Sequence, residues 1–323
     1  MFYGTLFRDL WAVLVLPIIL KLVMELMKKI AIWLGLSILM MILWVAGLMI
    51  GNLIFPSNLM EMETDSDGAA GFIFFLVSAL NAGIILKLIY KARYTGWKLA
   101  GLVFLVSFGI QYFMSQIETV WFNDSLGLPG NGIAAIVLGG AFTLVTFTTI
   151  AIWITGKFKS EPDKNNNTPR FGFSVKKILL LSAVIWPLIY FAFGYLVAWQ
   201  FEEVRLLYSG TREIDSFVEI MKGNFQSGLY LFQIFRGFLW VFIGILVLKM
   251  ARGTKISKGI LLGLLFTILG SSGLLLPNPI MPEMVRIAHL LETSTSSFIW
   301  GFIIAWTLWQ PVPGTEMENN KTE

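Results

Sequence analysis

KKIAIWLGLSILMMILWVAGLMIGNLIF, residues 28–55, is the stretch that decides the fold. Two lysines open it, and residues 30–55 carry no charge. A bilayer span needs roughly 20 predominantly apolar residues, so this run is long enough to cross with some tilt. Seven more such runs follow, near residues 68–90, 99–117, 133–155, 178–199, 227–248, 259–276 and 290–309. The expected fold is an all-α membrane protein with eight transmembrane helices. Composition agrees: of 323 residues, 56% are hydrophobic and 14% charged, with a mean hydropathy of +0.75. A soluble domain is closer to a quarter charged.

The bases alternate between connections. Arg8, Lys21, Lys28 and Lys29 precede the first run, and Lys87, Lys91, Arg93 and Lys98 separate the second from the third. Lys157, Lys159, Lys164, Arg170, Lys176 and Lys177 lie between the fourth and fifth, and Lys249, Arg252, Lys255 and Lys258 between the sixth and seventh. The other connections hold only Arg205, Arg212, Lys222 and Arg286, and the first of them carries Glu61, Glu63, Asp65 and Asp67 with no base. By the positive-inside bias, both termini are expected in the cytoplasm. The net charge of +4 is then a topology signal, and no nucleic-acid partner follows from it. The chain has no cysteine and one histidine, His289. That excludes disulfides, thiolate nucleophiles and multi-histidine metal sites, and no cofactor or metal is implied.

The opening Lys28-Lys29-Ile30 returns as Lys176-Lys177-Ile178, and the short basic loops ending at Lys98 and Lys258 match in length and charge. This pattern predicts two four-span repeats, residues 27–156 and 178–310, joined by a polar cytoplasmic linker, 157–177. Four spans return the chain to its starting side, so the repeats would be parallel, about an axis along the membrane normal. The rival explanation is that apolar helices resemble one another. Residues 311–323 read as a disordered cytoplasmic tail. Residues 1–26 form an extension, either an interfacial helix or a segment ahead of a natural start at Met27, with the second favoured. The pairs Gly47/Gly51 and Gly259/Gly263 are expected to pack within the fold rather than to form a dimer face.

Arg236 is the one base that topology does not explain. It lies roughly 14 Å into the sixth run at helical rise, where an unpaired charge is costly. Gln233 lies nearby on the same wheel. Ser107, Gln111, Ser115 and Glu118 share a polar face of the third run. Arg286, His289 and Glu292 are spaced i,i+3, so each neighbouring pair can touch. A histidine beside a carboxylate can do acid–base work, but no nucleophile or metal set accompanies this one. P-loop, His-Glu-x-x-His and Gly-x-Ser-x-Gly motifs are missing.

Several segments resemble an uncharacterised family of bacterial multi-pass integral membrane proteins. They are Ser115-Gln116-Ile117-Glu118, Arg236-Gly237-Phe238-Leu239-Trp240, and the run from Leu275-Leu276-Pro277-Asn278-Pro279 through Met281-Pro282-Glu283 to Val285-Arg286, His289 and Glu292. The resemblance covers most of the chain from Met27. It implies an eight-span protein of the bacterial cytoplasmic (inner) membrane and carries no activity or catalytic residue.

Three readings follow. In the leading one, an outward-facing pocket binds or moves a small or lipidic anion: Arg236 pairs it, Gln111 and Gln233 orient it, and Arg286, His289 and Glu292 cover the opening. In the second, the protein is a structural or accessory membrane subunit in which Arg236 pairs with Glu118. In the third, it is an intramembrane enzyme using His289 with Glu118 or Glu292. The lipid bilayer is the one partner common to all three.

Overall fold

The computed structural model describes residues 16–57, 69–159, 174–278 and 281–309. The acidic first loop, most of the expected linker and the tail lie outside these residues. The described chain is helical. Among the described residues, seven helices are long and apolar enough to cross a membrane. They are α1 (Leu16–Ile54), α2 (Ala70–Lys91), α3 (Gly96–Trp121), α4 (Gly130–Ile154) and α5 (Val175–Gln200). Two short amphipathic helices follow, α6 (Glu202–Ser209) and α7 (Phe217–Gln226), then α8 (Leu229–Met250) and α9 (Lys255–Leu275). The eighth long helix, α10 (Glu283–Leu308), falls short of that apolarity. Its first three turns carry Glu283, Arg286, His289 and Glu292, and only the part from Phe298 reads like the other spans. It is one continuous helix that starts well before the expected run at 290–309.

α1 is also continuous across the boundary expected at residue 26. Its 39 residues measure about 58 Å at 1.5 Å per residue, roughly twice a bilayer's hydrocarbon thickness. Lys21, Glu25, Lys28 and Lys29 fall on one side of its first half, and the apolar residues from Ile18 to Met27 are exposed.

The basic loops gather at one end of the bundle. The Gly96 amide donates to the Lys157 carbonyl at 3.0 Å, and Lys177 Nζ donates to the Thr307 carbonyl at 2.9 Å. Between them the ends of α2 and α8 form an antiparallel bridge at Ala92 and Ala251. Its hydrogen bonds are reciprocal: Arg93 N–H to Met250 O at 3.0 Å, and Arg252 N–H to Lys91 O at 2.8 Å. Thr95 and Thr254, each three residues past the alanine, hold the N-cap positions of the next helices, and the Thr254 hydroxyl accepts from the Ser257 amide. In the core, Asn81 on α2 donates to the Ser272 hydroxyl on α9 at 3.1 Å.

Small residues set the closest helix crossings. A Cβ added at Gly51 or Gly47 would strike the α4 backbone at Ala135 or Gly139. One added at Gly301 would meet the Gly263 nitrogen at 2.7 Å, and one at Gly259 the Phe302 ring at 2.8 Å. Both Gly-x-x-x-Gly pairs therefore pack inside the fold, as the sequence suggests. At the end opposite the basic loops, Ser216 and Glu219 close the capping box that starts α7: the Glu219 carboxylate accepts from the Ser216 amide at 3.1 Å.

Candidate functional site

Two π-turns shape the site. One, Gly109–Phe113, lies within α3 and contains Gln111; the other, Leu181–Ile185, lies within α5. Such single-turn bulges re-aim the residues around them. Just past the second stands Pro187, which has no N–H to offer the carbonyl four residues back. That carbonyl, Ala183 O, accepts instead from the Tyr230 hydroxyl of α8 at 3.1 Å. At Gly237 the α8 backbone comes so close to Ser182 that any Cβ would overlap its carbonyl. A freed carbonyl and a glycine thus seat α8 against the bulge of α5, and they place the neighbouring Arg236 at a junction of three helices.

Arg236 is paired within the chain. Its guanidinium forms a bidentate pair with Glu118 of α3, Nη1 to Oε1 at 2.6 Å and Nη2 to Oε2 at 2.7 Å. Nη1 also donates to Gln233 Oε1 at 3.2 Å, and Nη2 to the Met114 carbonyl at 3.4 Å. Gln233 Oε1 in turn accepts from Trp186 Nε1 at 3.1 Å. The rings of Trp186, Tyr190 and Phe232 stand within 5.8–5.9 Å of the guanidinium carbon. The pair is asymmetric: the Arg236 side chain is 4% exposed and the Glu118 side chain 31%.

Of the residues expected to form the site, Arg236, Glu118 and Gln233 are in direct contact. Gln111 has no hydrogen bond to them: its Oε1 is buried without a partner, as are Gln233 Nε2 and Arg236 Nε. Ser115 turns back to its own helix, donating to the Gln111 and Tyr112 carbonyls. Ser107 is buried with its hydroxyl unpartnered.

The α10 group forms a separate layer. Glu292 is 8% exposed and accepts from the Thr293 hydroxyl at 3.0 Å. His289 Nδ1 lies 3.6 Å from Glu292 Oε2, beyond hydrogen-bond range, and its Nε2 is buried without a partner. Arg286 does not reach the pair; its Nη1 donates to the Leu274 carbonyl at 3.3 Å. The Tyr208 ring of α6 meets the His289 ring edge-to-face at 5.8 Å. Burial, with the charges of Glu118 and Glu292, pushes the Tyr208 phenol up, so it stays protonated through the physiological range. No hydroxyl among the described residues is hydrogen-bonded to His289, so no nucleophile–base pair is set up. Nor does any set of three or more His, Asp or Glu side chains among them converge as metal ligands.

The aromatic cage of Trp186, Tyr190 and Phe232 and the Asn81–Ser272 bond were not foreseen. An aromatic residue in an apolar run carries no mark of which way it faces, and a lone asparagine reads as a tolerated polar residue. No family model, curated protein or solved structure matches the chain.

Proposed function

We propose that this is a non-catalytic integral membrane protein of eight membrane-crossing helices, made of two parallel four-helix halves, in the bacterial inner membrane with both termini in the cytoplasm. Arg236 and Glu118 act in it as a structural clasp between the halves. The observation that carries this reading is the bidentate pair itself. It joins the third helix of the first half to the second helix of the second half and leaves both terminal guanidinium nitrogens engaged. The reciprocal bridge at Ala92 and Ala251 supports the two-half arrangement, because each half contributes the same edge to it. The gathering of the basic loops at that end supports the orientation. Treating α10 as the eighth span rests on its length of 26 residues and its close packing along α9.

One observation favours a second reading, binding of a small or lipidic anion. Glu118 is the more open member of the pair, and Gln111, Gln233 and Arg236 each keep a buried polar atom without a partner. An anion could take the place of Glu118 on the guanidinium. The two readings part in a single experiment on the purified full chain. Arg236→Met with Glu118→Leu removes both charges and keeps the bulk. A pure clasp predicts that this double variant folds and carries the same bound species in native mass spectra as the wild type. Loss of a specific anionic adduct from a folded double variant would instead assign the site to binding.

A further inference from the structure

A second polar feature lies at the basic end, away from Arg236. A groove of about 600 Å³ runs along the seam of α1 and α2. Its basic side chains are Lys29 of α1 and Lys87 and Lys91 of α2, and its rings are Trp33 and Tyr90. Helical spacing builds it: Lys29 and Trp33 are one turn apart, and Gly83, Lys87 and Lys91 fall at successive turns of one face. The Trp33 indole N–H is pinned to the Ala79 carbonyl at 2.8 Å, so the ring is a fixed wall. Gly83 lets that indole lie against the α2 backbone, since a Cβ there would meet Trp33 Nε1 at 3.0 Å.

Most other bases at this end have partners within the chain. Lys157 donates to the Ala92 carbonyl at 3.5 Å, Lys177 to Thr307 O, and Lys258 to Leu248 O at 3.2 Å. Lys98 stands 4.2 Å over the Tyr94 ring, and Lys255 3.6 Å over Trp306. The ammonium groups of Lys29, Lys87 and Lys91 have no hydrogen bond, ion pair or ring contact among the described residues. Three cations without a partner among the described residues share one groove, and no carboxylate is among its described lining.

We propose that this groove binds the phosphate headgroup of an anionic phospholipid. Depth argues for a lipid over a soluble phosphate. Lys87 sits one turn further into α2 than Lys91, about 6 Å along the axis, and the α1 side of the seam continues into the exposed apolar residues Ile30 and Leu34. The lysine stems lie along that apolar surface while their ammonium groups reach the headgroup layer, and Trp33 and Tyr90 occupy the level where amphipathic rings settle. Basic pockets between membrane helices on the cytoplasmic side take up anionic headgroups by this chemistry.

The test is native mass spectrometry of the full chain in micelles doped with phosphatidylglycerol or with phosphatidylcholine of the same acyl chains. The wild type should retain phosphatidylglycerol preferentially. Lys29→Gln/Lys87→Gln/Lys91→Gln should lower that retention by about fivefold per lysine removed. Lys28→Gln/Lys98→Gln/Lys176→Gln, which removes the same charge outside the groove lining, should change it less than about twofold, because charges outside the site act on the headgroup only through salt-screened distance. Because all these side chains are exposed, both variants remain folded in undoped detergent, read as a cooperative thermal transition. Equal loss in the two variants, or none in the first, overturns the groove. Complete displacement of the lipid by millimolar inorganic phosphate overturns the lipid as the source.

Discussion

At the residue scale, the two members of the Arg236–Glu118 pair are unequal partners, and the inequality is measurable. Removing Glu118 leaves a guanidinium that is nearly out of reach of solvent; removing Arg236 leaves a carboxylate that is one-third open. Breaking a buried pair from one side costs about 3–5 kcal/mol. Glu118→Ala should fall in that range, and Arg236→Met should cost clearly less. The double variant should recover most of the larger loss, read as thermal unfolding in detergent. Equal single losses that simply add would mean the charges do not feel each other. Tyr230→Phe should cost about 1 kcal/mol, because it returns the half-buried Ala183 carbonyl to the state Pro187 created, without its donor. Arg236 and Glu118 were legible in the sequence because a charge in an apolar run must be answered by another group. The fit of Gln111 to the same face was not. A helical wheel assumes a constant 100° per residue, and the π-turn at Gly109–Phe113 shifts the phase in the middle of that face.

At the element scale, α8 depends on one missing side chain. Gly237→Ala should push α8 off the α5 bulge and cost about 1–3 kcal/mol, in proportion to the overpacking it forces. Gly194, on α5 with open space around it, is the control: Gly194→Ala should be neutral or stabilise by up to about 1 kcal/mol through helix propensity. A second element-level prediction concerns α7. Hydrogen bonds from the Ser216 hydroxyl and amide hold the Glu219 carboxyl below its ordinary value of 4.5. A depressed carboxyl contributes stability that is complete above the ordinary value and is lost as pH falls through the lower, folded one. Amide protection at residues 218–220 should therefore drop in acid, and Ser216→Ala, which removes the hydroxyl but keeps the amide, should weaken that pH dependence. The capping box was readable from Ser216 and Glu219 alone, because its spacing is the mechanism. The start of α10 was also legible, since Pro282 suits the first turn of a helix over 281–291. Its continuity with the apolar run at 290–309 was harder, because the polar turns interrupt any hydropathy window and the packing along α9 that accompanies them lies outside it.

At the scale of the whole molecule, the alternation of bases predicts a topology that a cysteine-free chain makes easy to test. A single cysteine introduced anywhere is the only thiol present. Asn224→Cys, on α7, should react with a membrane-impermeant maleimide in intact cells, and Lys159→Cys should react only after permeabilisation. The reverse pattern would invert the proposed orientation. Long apolar helices were the legible part of the architecture, because a bilayer leaves the backbone few alternatives. The bridge between the ends of α2 and α8 was not, since it runs through backbone groups at Lys91–Arg93 and Met250–Arg252 whose side chains say nothing about pairing. That bridge has a consequence for smaller forms of the protein. Each strand of it offers one donor and accepts one bond, so the edge is complementary to itself. A polypeptide ending at Lys159 would keep its own copy of that edge, and two such polypeptides could meet through it, Ala92 against Ala92, as a homodimer of four-helix units.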